Sequence, residues 1–550
     1  MGSSGGKDGS LSVVQRSRKH HTRSRTGCLT CRQRHLRCDE KRPICINCSN
    51  ASKICEYPAP GLPLRDRRKT RLPGEQQPWV PPVGTSQMPM IISFEVDPFN
   101  ALPNSMPFRS SELFHYFVKA EEPIGHNTSR KDKDCLALAT QNPDALRGSL
   151  LIAALHYAWN VGNLRNYEST FLYHKVEAMR LVNGWLKNMQ PKVATTCIRE
   201  ICTLAFTECA LGDIKTADTH IDGLMRFMDL HNPPTPEPQP RPSLEEELSN
   251  RYLLLTYNFV HGVKSRLSDI IDGIRPSDSD YKPTPEETEF LMHRWHKEEM
   301  GGLEIRLRSM RLFPSFFNVP PPGTVFDDIE GGPLIECLRQ FSTMADLRQK
   351  PDSPPRYDVG GHRDQIWLEG ASTRLLLAMV SSHLQSTSGK RRPKSTKKAS
   401  EKIIVSWPGA SAGIGLYLNA ALGIFNAGQP LEDRLHRRVL FILKGDLDRE
   451  DYLLESGRSA TSDFWFWRAF LGAFSIAKYQ RDGKGTLRPA FQPSFQAFIV
   501  KWIHRTGTSR WDEARECLES VVWPSDHADE PLAEGVWKDA MLEVSRTKKA

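Results

Sequence analysis

Six cysteines fall within one short stretch: Cys28, Cys31, Cys38, Cys45, Cys48 and Cys55, spaced C-x2-C-x6-C-x6-C-x2-C-x6-C. They are half of the chain's 12 cysteines, and they write the same half-motif twice with a 17-residue offset. Clustered thiolates at C-x2-C spacing point to zinc. A tetrahedral ion takes four ligands, so two ions need eight ligand positions, and six thiolates fill them only if two sulfurs bridge. The competing arrangement is a single four-thiolate site of Cys28, Cys31, Cys45 and Cys48 that leaves Cys38 and Cys55 idle. Either way every position is sulfur, which leaves no place for an activated water and makes the metal structural. Opening on "MGSSGGKDGSLSVVQ", the chain shows no apolar run of signal-peptide length and no stretch of about 18 apolar residues. The expectation is an intracellular, soluble protein with no membrane partner, where dense cysteines serve metal rather than disulfides.

Charge is placed unevenly around these thiols. The first 75 residues carry 17 Lys+Arg against 6 Asp+Glu, whereas the other 475 carry 57 against 59. A basic module stapled by metal is the electrostatic footprint of a nucleic-acid binder. Between Cys31 and Cys38 runs "RQRHLR", in which Leu36 is the one apolar residue. A helix there has little to bury and offers cations to phosphates and, through arginine, a bidentate partner to guanine. A module this small has almost no apolar core, so metal must hold it, at about 10–16 kcal/mol for structural zinc in small peptides.

The segment "TGCLTCRQRHLRCDEKRPICINC" resembles the fungal binuclear zinc cluster DNA-binding domain in cysteine spacing, basic first helix, acidic exit and loop proline (Pro43). The resemblance implies two structural zinc ions held by all six cysteines, with Cys28 and Cys45 as the bridges. It also implies a first helix that enters the major groove of double-stranded DNA and reads a short G/C-rich, CGG-like triplet. The DNA-binding residues carried over are Arg32, Arg34, His35 and Arg37. His35 stands where relatives place a lysine, and neutral imidazole offers one donor and one acceptor without a fixed charge. The flanking runs "RSRKHHTRSR" (16–25) and "RDRRKTR" (65–71) suit phosphate contacts or nuclear import.

The elements that carry this site follow from patterning. Residues 1–24 read as a disordered basic arm, 25–58 as the zinc cluster, and 59–109 as a proline-rich linker. The linker has no sustained heptads, so a homodimer paired through it has no support. From 110 to 550 the apolar period is helical, as in "DIKTADTHIDGLMRFMDL", where Ala217, Ile221, Leu224, Met225 and Met228 share one face. Comparable stretches lie near 148–164, 167–189, 193–211, 246–271, 363–385, 411–427, 461–480, 489–505 and 510–523, and convincing strands are lacking. The fold class expected is all-α: a small zinc module, a linker and a large irregular helical body with polar loops near 232–243, 276–287 and 351–358 and a flexible basic loop near 386–402. Through "SSELFHYF", "YHKVEAMRLVNGWL", "GDIKTADTHIDGLMR" and "SRWDEARECLESVVWPSD", this body is similar to the fungus-specific regulatory domain that follows such clusters.

Catalysis has one candidate, the acidic patch "FDDIE" with Asp327, Asp328 and Glu330, which a magnesium-dependent enzyme would need to match with a second acidic motif; none follows. It reads as an exposed loop. Cys135, Cys197, Cys202, Cys209, Cys337 and Cys517 read as core thiols, and "FWFWRAF" (464–470) as core. The acidic and apolar C-terminal stretch suits a short activation segment or a packed closing helix. The reading reached is a nuclear, zinc-dependent, DNA-binding RNA polymerase II regulator, not an enzyme, whose partners are DNA and the transcription machinery or co-regulators. The alternatives are a DNA-associated scaffold or repressor without activation function and an all-α magnesium-dependent enzyme with a basic zinc appendage.

Overall fold

Several helices of this chain begin where a side chain accepts the first free amides. The computed structural model describes residues 27–34, 36–57, 104, 106–119, 139–187, 191–235, 237, 240–274, 295, 299, 302–317, 319, 325–346, 370–387, 402–426, 431–454, 459–482, 491–525, 527 and 529–547. The chain divides into two units, residues 1–86 and 87–550. The basic runs 16–25, 65–71 and 390–398, Cys135 and almost all of the linker lie outside the described residues, as do the expected loops near 276–287 and 351–358.

The first unit has two short helices, α1 (Leu29–Gln33) and α2 (Ile46–Ser49). The second is helical: α3 (Ser110–Lys119), α4 (Pro143–Val161), α5 (Glu168–Lys187), α6 (Pro191–Ala210), α7 (Ile214–His231), α8 (Leu244–Ile274), α9 (Gly302–Leu312), α10 (Gly332–Asp346), α11 (Ala371–Ser386), α12 (Trp407–Leu416), α13 (Asp433–Arg449), α14 (Ala460–Arg481), α15 (Gln492–Thr506), α16 (Trp511–Val521) and α17 (Glu530–Thr547). Among the described residues, no helix is long and apolar enough to cross a membrane.

Capping explains the boundaries. Asn142 accepts from the amides of Asp144 and Ala145 to start α4, and Asp213 accepts from Thr216 to start α7. Ser459 and Ser462 form a reciprocal capping box at α14. Gly162 ends α4 with φ 89°, a left-handed conformation that side chains with a Cβ resist. α12 starts at Trp407, ahead of the expected 411, because Ser406 accepts from the Gly409 amide and Pro408 fits the first turn. It then relaxes into a π turn at Tyr417–Ala421.

Helices α9, α10 and α13 lie outside the stretches expected from the sequence. In α9 charge masks the period, with Arg306 buried against Glu299, whereas α13 has a plain apolar face of Leu435, Val439, Leu443 and Leu447, and its Arg434 and Arg437 reach Asp222 and Asp229 of α7. One short ladder is also present, Ile329–Glu330 pairing antiparallel with Ile404–Val405. It takes up only the end of "FDDIE": residues 325–328 have no regular structure and Asp327, Asp328 and Glu330 are exposed, in keeping with a loop, while Phe326 and Ile329 are buried and Glu330 pairs with Lys402 at 2.9 Å. Among the described residues, the groups of three or more candidate metal ligands all lie in the cysteine module, so the acidic patch assembles no such site.

α6 packs against α4, α5, α7 and α8, while α14 packs against α12, α13, α15, α16 and α17. α8 joins the two groups through α12. "FWFWRAF" is buried throughout, with Phe466 stacked on Trp502 at 3.9 Å and the Trp467 indole N–H donating to the Val522 carbonyl at 2.7 Å. Cys197, Cys202, Cys209, Cys337 and Cys517 are buried, as expected of core thiols. The C-terminal stretch is the packed helix α17, with Trp537 buried against Phe466 and Trp502.

Inside this apolar centre sits an ionic group. Arg468 of α14 bonds Asp446 Oδ2 at 2.6 Å and Glu450, while the Ser406 amide donates to Glu450 Oε1 at 2.8 Å. Burial pushes the Glu450 carboxyl up to about 7 against the pull of Arg468. A Cβ at Gly409 would collide with the Asp446 carboxylate and the Arg468 guanidinium, so glycine is required where α12 crosses this group. Arg468→Met should strand two buried carboxylates and destabilise the helical unit by about 3–5 kcal/mol. Denaturant unfolding followed by tryptophan fluorescence measures this, and a change within error would remove Arg468 as the keystone of the group.

Candidate metal centre and nucleic-acid interface

In the first unit the buried core is made of sulfur. Cys28, Cys31, Cys45 and Cys48 are fully buried and Cys38 nearly so, with Cys55 and Tyr57 packed against them. The apolar side chains point elsewhere: Leu29, Leu36, Ile44, Ile46 and Ile54 are exposed, Ile54 to 80%. Sγ of Cys28 lies 3.7 Å from that of Cys45 and 3.6 Å from that of Cys48, and Sγ of Cys31 lies 3.6 Å from that of Cys45. A tetrahedron with Zn–S bonds of about 2.3 Å has edges of roughly 3.8 Å. The ligand atoms of Cys28, Cys31, Cys45 and Cys48 all lie within 4.8 Å of one another, and the donor set fits zinc in both chemistry and spacing.

The 17-residue repeat is visible as paired bonds. The Cys28 amide donates to Cys38 Sγ at 3.5 Å and the Cys45 amide to Cys55 Sγ at 3.4 Å. The Cys31 amide donates to Cys28 Sγ at 3.4 Å and the Cys48 amide to Cys45 Sγ at 3.3 Å. The halves also strap each other: Thr30 Oγ1 donates to the Ile54 carbonyl at 2.6 Å, and its equivalent Asn47 donates through Nδ2 to the Arg37 carbonyl at 2.7 Å. Asp39, the acidic exit of the first half, accepts from the Ile46 amide at the start of α2 at 3.0 Å. Tyr57 closes the module by donating to the Lys41 carbonyl at 2.8 Å, with its hydroxyl 3.7 Å from Cys38 Sγ and the Arg42 guanidinium 4.9 Å from its ring centroid.

Amide and thiol donors also set the acidity of the sulfurs. Burial opposes ionisation of Cys28, but the Cys31 amide and the thiols of Cys31, Cys48 and Cys45 hold it at about 6. Burial and its neighbours push Cys48 up to about 12, and Cys31 is raised as well. Without a cation the cluster resists holding several thiolates together; zinc supplies the missing positive charge and displaces their protons.

Of the residues expected to meet DNA, Arg34 and Arg37 are exposed and make no ion pair among the described residues. His35 and the side chain of Arg32 lie outside the described residues. Lys41, Arg42 and Lys53 are further exposed cations of the module that the motif did not single out. Thr30, Asn47 and Tyr57 were missed as well; the 17-residue offset pairs Thr30 with Asn47, but only the folded repeat reveals that each reaches across to the other half.

Residues 26–61 match the family described as "Fungal Zn(2)-Cys(6) binuclear cluster domain". Transcription activator AMTR1 of Alternaria alternata is 55% identical over 53 residues, 10% of this chain and 7% of that protein. Transcription factor lfc1 of Flammulina velutipes is 43% identical over 53 residues, 10% of this chain and 19% of that one. The Zn(2)-C6 fungal-type transcription factor afumD of Aspergillus fumigatus is 33% identical over 141 residues, 25% of this chain and 33% of that protein. The matches thus span a third or less of these curated relatives. No solved structure matches the chain.

Because the sulfurs are the core, removing zinc should unfold residues 27–57 and leave the helical unit folded. Chelation of the full chain, followed by limited proteolysis, tests this: cleavage should appear within the module while the tryptophan fluorescence of the helical body stays native. A module that remains protected after its zinc has been removed would overturn the dependence.

Proposed function

Residues 26–61 being a fungal Zn(2)-Cys(6) binuclear cluster domain, we propose that the chain is a nuclear transcription factor whose cluster binds a short G/C-rich site in double-stranded DNA. The observation that carries this reading is a core of clustered cysteine sulfurs whose spacing fits zinc, with Arg34 and Arg37 exposed on its outside and in no ion pair among the described residues. Metal fixes a scaffold too small to hold itself, and the scaffold presents charge to phosphate and base edges. The names of the three relatives support transcriptional control as the outcome.

All six cysteines are ligands in this reading, with Cys28 and Cys45 as bridges. Support comes from the sulfur spacing: Cys28 lies close to Cys45 and Cys48, and Cys45 lies close to Cys28 and Cys31, so these two are the shared members of the contacts. Arg32, Arg34, His35 and Arg37 are the DNA-facing residues, and His35 in place of a lysine adjusts which bases are read. Residues 25–58 form the DNA-binding domain, 59–109 the linker and 110–550 the regulatory body that meets co-regulators. With every zinc position taken by thiolate, the metal is structural and leaves no place for an activated water, and the names of the relatives support a regulator.

Selection of bound sequences from random duplexes, with zinc counted on the same preparation, tests the assignment. Two zinc ions per chain and an enriched G/C-rich triplet are expected; salt-sensitive binding without enrichment would reject a sequence-specific factor. Cys45→Ser should lower the zinc content below two and abolish specific binding, and retention of both ions would reject the bridge. Arg34→Ala should weaken binding and reduce the log–log salt slope by about 0.9 for one lost phosphate contact. An unchanged slope and affinity would place Arg34 off the DNA.

A further inference from the structure

The helical unit contains a polar cavity of about 180 Å3 that the DNA-binding reading does not use. It lies between the start of α4 (Asn142, Asp144, Gly148), the middle of α6 (Thr196, Arg199, Glu200, Thr203), the first turn of α8 (Glu245) and Phe317. That is room for several waters, hence for a small organic molecule.

Its walls carry more negative charge than positive. The lining carries Asp144, Glu200 and Glu245 against the guanidinium of Arg199, and Arg147, outside the lining, pairs with both Asp144 and Glu200, so three carboxylates meet two guanidiniums. Arg199 is partly committed, with Nη1 donating to Ser249 Oγ and Nη2 to Thr196 Oγ1, both at 3.3 Å. The amides of Asp144 and Ala145 at the α4 start are taken by Asn142 Oδ1, at 2.8 and 3.2 Å, which weakens the case for an anion alone. Glu200 is the under-served group. Its side chain is 5% exposed, its nearest cation is Arg147 at 3.6 Å, which Asp144 shares at 3.1 Å, and its Oε2 has no partner. Burial, only partly offset by Arg147, pushes its carboxyl up to about 7. A buried carboxylate beside a water-sized polar space and short of positive charge is a counter-ion site for a cation small enough to enter.

We propose that this cavity binds a small organic ammonium, with the Glu200 carboxylate as its counter-ion and Arg199 placed to meet a carboxylate on the same molecule. The chemistry fits two sources, an α-amino acid or a short diamine. An amino acid satisfies both Glu200 and Arg199, and a diamine uses Glu200 together with Asp144 or Glu245. The inference is independent of the DNA-binding reading, because ligand uptake is read on the full chain without DNA.

Calorimetric titration of the zinc-loaded full chain with alanine, 1,4-diaminobutane and acetate tests it. Saturable binding of alanine or of the diamine, with acetate silent, is expected. Alanine alone points to the amino-acid source and the diamine alone to the polyamine source. Glu200→Gln, which keeps shape and removes charge, should weaken that binding by at least about tenfold. Should Glu200→Gln fail to fold by thermal denaturation, Thr196→Phe at the half-buried edge of the cavity replaces it and should block uptake by bulk. No saturable heat with either ammonium probe, acetate binding as well as alanine, or full affinity in the folded variant would each overturn the site.

Discussion

A thirty-residue module whose interior is sulfur stands or falls by the charge placed among those sulfurs. Apolar burial does not hold it, because its leucines and isoleucines face solvent. Backbone hydrogen bonding does not hold it either, since α1 and α2 have five and four residues, well short of independent helix stability. What remains is metal–thiolate bonding, supported by amides aimed at sulfur. The Cys28, Cys31, Cys45 and Cys48 N–H groups all donate to neighbouring Sγ atoms, so the backbone is shaped around the ligands rather than the ligands hung on a finished fold.

The two units solve the same problem by opposite means. The helical body buries Trp465, Trp467, Trp502 and their neighbours and has apolar area to spare. It spends some of that surplus on Arg468 with its two carboxylates, and on the polar cavity beside Arg199 and Glu200. A buried ion group is weak evidence for stability, but it fixes how α12, α13 and α14 meet. The zinc module has no such surplus, so its charged side chains stay outside.

Legibility followed the range of the interactions. The cysteine spacing is a local pattern with a rigid coordination rule, so the cluster could be read before any fold was known. The amphipathic period of α7 was readable for the same reason, because the residues of one face lie within a few positions of each other. α9 escaped because Arg306 looks like surface charge until Glu299 arrives from outside the helix, whereas the face of α13, Leu435, Val439, Leu443 and Leu447, was legible in the sequence but lay outside the expected stretches. "FWFWRAF" read correctly as core, yet nothing in it announced that its arginine would be buried with the aromatics. The cavity was invisible in the sequence, since its walls come from α4, α6 and α8.

The reciprocal straps from Thr30 to Ile54 and from Asn47 to Arg37 make each half of the zinc module the template on which the other is completed. Neither half is a smaller domain: cut at the loop around Pro43, each would lose its strap acceptor along with its share of sulfur. The repeat therefore behaves like a clasp of two identical hooks, with no half-closed form of its own. Its outer surfaces, though, are unlike: Arg34 and Arg37 in the first half correspond by the offset to Ala51 and Ile54 in the second. The second half in turn exposes Lys53 where the first has Leu36, so a scaffold that repeats its sulfurs and straps does not repeat its charge.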